Sequence, residues 1–174
     1  MYALHDDPFF DVLSRYPDCV VEYGLFRSDA PYRGEASHRE ALKSAMQAFV
    51  GEDAEPMWTG NADEAVASPT DINDLLSLPD KPCGEACTRT DGGAIPYRQA
   101  FLLPPHGGDL READFLAVNR ALFPCGTDGL TAYAWSTGWS DYFDDGREWW
   151  GTGCWSVYDA RLDRYAVILA SATD

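Results

Sequence analysis

Residues 153–170, GCWSVYDARLDRYAVILA, decide the fold. Two runs, 153–159 and 164–170, are rich in β-branched and aromatic side chains. They flank Ala160-Arg161-Leu162-Asp163, a connection of hairpin length, so the pair reads as adjacent antiparallel strands. In the second run Tyr165, Val167 and Leu169 alternate with Ala166, Ile168 and Ala170, which leaves both sides of the pleat apolar. That pattern predicts a strand buried on both faces and central in an antiparallel sheet.

Working outward, residues 130–136 read as a third strand, and 19–26 (Cys19-Val20-Val21-Glu22-Tyr23-Gly24-Leu25-Phe26) and 97–103 as two more. Helices are expected at four places. Residues 6–16 carry a cap at Asp6 or Asp7, Pro8 in the first turn and one face of Phe9, Val12, Leu13 and Tyr16. Residues 37–50 open on Ser37, three before Glu40, and carry the stripe Leu42, Ala45, Met46, Phe49. Residues 68–78 open on Ser68-Pro69-Thr70-Asp71, and residues 109–123 are capped by Asp109. Residues 52–69 read as irregular and 79–96 as a long surface loop dense in Pro, Gly, Asp and Thr. The expected order is α-β-α-α-β-α-β-β-β. The fold class is α+β, a mostly antiparallel sheet of about five strands with helices packed on it, in one domain across 1–174.

The connection 137–152 is far longer than a tight hairpin and unusual in composition. Five of the six tryptophans lie at or beside it: Trp135, Trp139, Trp149, Trp150 and Trp155. Trp135 and Trp155 fall in or next to strands and read as core aromatics. Trp149 and Trp150 are adjacent, so in an extended chain they point to opposite sides and one of them faces solvent. Asp141, Asp144, Asp145 and Glu148 accompany a single cation, Arg147. A calcium-loop pattern can be laid from Asp141, with Asp145 and Gly146 in place. It fails at Phe143, a ligand position, and at Thr152, where a glutamate belongs. The sequence therefore predicts no metal there and no cofactor. It predicts a solvated acidic tip with Asp144-Asp145-Gly146 as a turn.

Composition narrows the partner. The chain has 29 acidic and 13 basic residues, a formal net charge of −16. At that charge it repels phosphate backbones and anionic headgroups, so nucleic acid and membrane are poor partners and a positively charged protein is a good one. The opening MYALHDDPFFDVL has no basic n-region or long apolar core, and five cysteines is an odd number, so the expectation is a cytoplasmic chain with reduced thiols.

One enzymatic alternative rests on named residues. His38-Arg39-Glu40, an H-x-E, and Pro82-Cys83-Gly84-Glu85-Ala86-Cys87 together resemble the H-x-E…P-C-x-x-C signature of zinc-dependent nucleoside deaminases, with the cysteines spaced C-x3-C. The resemblance implies His38, Cys83 and Cys87 as zinc ligands and Glu40 as the acid/base. Without it, His38 reads as a polar residue on the wet face of a helix.

In size, anionic charge and want of a catalytic signature the chain resembles the small acidic immunity proteins of bacterial toxin–immunity systems. The resemblance implies a non-catalytic module that neutralises a basic toxin by direct binding. The residues expected to make contact are Trp139, Asp141, Asp144, Asp145, Glu148, Trp149 and Trp150, carboxylates steering the partner in and indoles holding it. A third expectation is carbohydrate binding by stacking of sugar rings on exposed indoles.

Overall fold

The computed structural model describes residues 1–50, 59–76, 95–105 and 109–172, with the side chains of Phe49, Val50 and Trp149 set aside. Its strands are β1 (Tyr2–Ala3), β2 (Val21–Arg27), β3 (Ala67–Thr70), β4 (Leu130–Trp135), β5 (Thr152–Asp159) and β6 (Arg164–Ser171). Its helices are α1 (Pro8–Leu13), α2 (Glu35–Val50), α3 (Ile72–Leu76), α4 (Tyr97–Leu102), α5 (Glu112–Leu122) and α6 (Asp144–Trp149), with a 3-10 turn at Asp141–Phe143. The strands form one sheet in the order β1-β2-β6-β5-β4-β3, and each neighbouring pair is antiparallel. The fold is α+β, as the sequence leads one to expect.

The hairpin that decides the fold is present: Thr152 to Asp159 pairs in register with Ser171 to Arg164. β6 lies inside the sheet between β2 and β5, and all its residues but Ser171 are buried. Its alternation builds two cores. Ala166, Ile168 and Ala170 face α1, α3, α4 and α5, with Phe9, Tyr23, Tyr97, Phe101, Phe115 and Trp155. Tyr165, Val167 and Leu169 face α2, with Leu42, Ala45, Trp135, Trp139 and Phe143. Burying that much apolar area on both sides of one sheet is the main source of stability for such a layered arrangement.

Several local expectations are corrected. Of residues 97–103, expected as a strand, Tyr97–Leu102 form a helix and Leu103 caps it. Tyr97, Ala100 and Phe101 are its buried apolar residues, at helical spacing, and a short apolar run does not by itself reveal its period. Ser68, Pro69 and Thr70, read as a helix start, form with Ala67 the edge strand β3, where Pro69 is tolerated because an edge leaves its nitrogen unpaired. The helix after them does begin with a cap from Asp71, whose carboxylate accepts from the Asn73 amide at 2.8 Å. α2 starts two residues before Ser37, and Ser37 Oγ reaches back to accept from Arg33 N at 2.9 Å. α5 starts at Glu112 instead of Asp109, with the Asp114 carboxylate accepting from Arg111 N at 2.8 Å. The two-residue β1 was not anticipated. The loop expected at 79–96 lies largely outside the described residues, as do Cys83, Cys87, Trp58 and His106. Among the described residues no helix is long and apolar enough to cross a membrane.

Candidate functional site

The 137–152 connection is not a protruding hairpin tip. It forms the 3-10 turn and α6, which fold back across the end of the sheet on the α2 side. Trp139, Tyr142 and Phe143 are buried there beside Leu169 and Cys154. Tyr142 donates its hydroxyl to Glu22 on β2 at 2.8 Å. Burial lifts the Glu22 carboxyl above the ordinary glutamate value, and the Tyr142 hydrogen bond pulls the other way. Gly146 lies against β6 so closely that a Cβ would come 2.6 Å from Ser171 Oγ. Trp150 then crosses to the other core, where its indole N–H donates to the Leu103 carbonyl at 2.9 Å.

The expectation of outward-facing indoles is therefore corrected at two positions. Trp139 is 5% exposed and Trp150 9% exposed. Neither ring is open for stacking on a sugar or a partner surface. The reason is geometric: the connection passes over the sheet end, so its large aromatics have apolar surface beneath them on both sides. The Trp149 side chain, expected to make contact, lies outside the described residues.

The carboxylates are exposed, with unequal freedom. Asp141 is committed: its two oxygens accept from Thr59 N at 2.6 Å and Thr59 Oγ1 at 2.8 Å, tying residues 59–61 to the connection. Asp144 sits 3.4 Å from Arg147, an exposed pair of small energetic consequence. Arg147 also donates to the Thr137 carbonyl at 2.9 Å. Asp144 and Asp145 open α6 and are followed by Glu148, all three on the solvent side. They begin a helix where a turn was expected, and carboxylates in a first turn are favoured by the helix dipole.

His38 is not on a wet face. It is fully buried, with Nδ1 2.8 Å from Ser156 Oγ on β5 and Nε2 3.2 Å from the Tyr32 hydroxyl. The Trp135 indole N–H donates to the same Ser156 Oγ at 2.8 Å. Ser156 Oγ therefore joins the Trp135 indole to the His38 imidazole, accepting from the first. Burial lowers the His38 pKa to about 4, so the ring is neutral at pH 7. A serine beside a histidine suggests nucleophilic catalysis, yet Ser156 and His38 are both 0% exposed. Both ring nitrogens are occupied, so binding zinc through His38 requires breaking one of these contacts. Glu40, on the same helix, points outward to Arg33 at 2.6 Å. Between them Arg39 lies 4.9 Å over the Trp135 ring and holds the Ala62 and Ala65 carbonyls. Among the described residues no group of three or more His, Cys, Asp or Glu is placed to hold a metal. Comparison with family models, with curated proteins and with solved structures returned no match.

The tyrosines around His38 were missed by sequence reasoning. Tyr32 stacks flat on Tyr158, centroids 4.1 Å apart, and Tyr133 and Tyr165 meet the His38 ring edge-on. Alternation along β4, β5 and β6 puts Tyr133, Tyr158 and Tyr165 on one face, and that signal was legible. The approach of Tyr32 was not, because it comes from an irregular segment.

Proposed function

We propose that this chain is a non-catalytic protein-binding module, cytoplasmic, that neutralises a positively charged protein partner in the manner of a bacterial immunity protein. The observation that carries the reading is the seating of α6. Asp144, Asp145 and Glu148 stand in solvent on a helix whose flanking aromatics, Tyr142, Phe143 and Trp150, are buried. Carboxylates presented on a fixed element need little ordering when a partner arrives, so less binding energy is lost to entropy. A net charge of −16 adds a long-range field that steers a cationic protein inward and disfavours nucleic acid.

The contact set is accordingly Asp144, Asp145 and Glu148. Trp139 and Trp150 act as anchors beneath them, and Asp141 as a tie to Thr59. The test is capture of a partner from the source lysate at low salt, followed by association kinetics of the captured protein with wild type and with Asp144→Lys/Asp145→Lys. The double variant is expected to associate at least about tenfold more slowly, with a flatter salt dependence. Equal rates and equal salt slopes overturn the reading.

A further inference from the structure

On the opposite side of the sheet, α4 and the segment leading into α5 border an open cleft of about 320 Å³. Its apolar lining comes from Leu102, Leu103 and Leu110, and its charged lining from Arg98, Arg111 and Glu112. Arg98 is the unusual member. It is only 7% exposed, and its Nε has no hydrogen-bond acceptor among the described residues. One terminal nitrogen of its guanidinium pairs with Glu112, whose own side chain is 55% exposed. A guanidinium carries five N–H donors, and a buried cation short of acceptors is costly unless an anion answers it. Arg111, an exposed residue, is the second arginine lining the same cleft.

We propose that this cleft binds a small amphiphilic monocarboxylate: an unbranched apolar chain lying along the three leucines, with its carboxylate held between Arg98 and Arg111. Guanidinium is the side chain best matched to carboxylate, which it meets through parallel N–H donors. The volume lies at the small end of ligand pockets and suits a short chain. Glu112 opposes the ligand's charge and sets the affinity. The wall is firm on one side, since the Leu103 carbonyl is held by the Trp150 indole at 2.9 Å.

The experiment is titration calorimetry of the intact chain with hexanoate, octanoate and decanoate, each against its matching alcohol. One-to-one binding of at least one acid is expected, with the corresponding alcohol at least tenfold weaker. Arg111→Gln, an exposed change that leaves the fold intact, is expected to weaken the acid at least fivefold. Glu112→Gln is expected to tighten it severalfold. No binding by any acid overturns the proposal. So does equal binding of acid and alcohol, or indifference of the acid to Arg111→Gln.

Discussion

The imidazole of His38 and the hydroxyl of Ser156 meet 2.8 Å apart, 118 residues distant along the chain, and neither is exposed to solvent. This contact pins α2 to β5 with a neutral ring. The unfolded chain protonates His38 near its ordinary value of 6.5, whereas the folded protein does so only near 4. The unfolded state therefore binds the extra proton across that interval, and stability rises with pH.

The first prediction follows from that sign. The His38 contribution is complete above about pH 6.5 and is lost progressively as pH falls toward 4, amounting to about 3 kcal/mol at most. Urea denaturation across this range checks it by comparison with His38→Gln, in which that part of the slope is expected to vanish. The raised Glu22 carboxyl works in the opposite direction, favouring the fold as it is protonated, so the difference between the two proteins is the quantity to read.

Two tryptophans in the same connection are expected to respond differently to loss of the indole N–H. Trp150→Phe breaks the part-buried bond to the carbonyl of Leu103, an exposed residue, at a cost of about 0.5–1.5 kcal/mol beyond the lost area. The Trp139 Nε1 has no acceptor among the described residues, so Trp139→Phe removes a buried donor that was already unsatisfied. Its cost is expected to be the smaller of the two, which denaturant midpoints of the two variants decide.

Gly153 has no room for a side chain. A Cβ there falls within the indole ring of Trp155, which folds back over it two residues along the same face of β5. Trp155 is buried in the core against Tyr97, centroids 5.6 Å apart, and cannot move aside freely. Gly153→Ala is expected to cost about 3 kcal/mol, with a change in the near-ultraviolet tryptophan signal.

Asp144→Lys/Asp145→Lys is expected to leave the fold nearly untouched. Both residues are exposed, and the Asp144–Arg147 pair is worth little. Reversing two charges in the first turn of α6 sets cations against the helix dipole, for a loss of about 1 kcal/mol. Thermal unfolding of the double variant checks this, and a near-native midpoint means that slower partner association reports on charge.

Legibility in the sequence depended on how far the deciding contacts reach. The helix at Pro8–Leu13 announces itself through Asp7, whose carboxylate accepts from Phe9 N at 3.0 Å, and through Pro8 beside it. Those signals are local. The acidic helix 144–149 was concealed because Asp-Asp-Gly also suits a turn. Gly146 is there for a different reason, the close approach of Ser171 from another strand. Tyr97–Leu102 was misread because six residues of mixed apolar character fit either period until a sheet lies beneath them.

By itself the sequence determined the antiparallel hairpin of 153–170, the two-sided burial of β6 and the anionic character of the molecule, because strand alternation and charge are properties of neighbours along the chain. Only the tertiary structure decided that Trp139 and Trp150 turn inward to opposite cores, that His38 is sealed against Ser156, and that Arg98 and Arg111 line one cleft. Each of these is fixed by a surface contributed from far away in the chain. Burial of a side chain depends on what packs over it, and no run of adjacent residues encodes that.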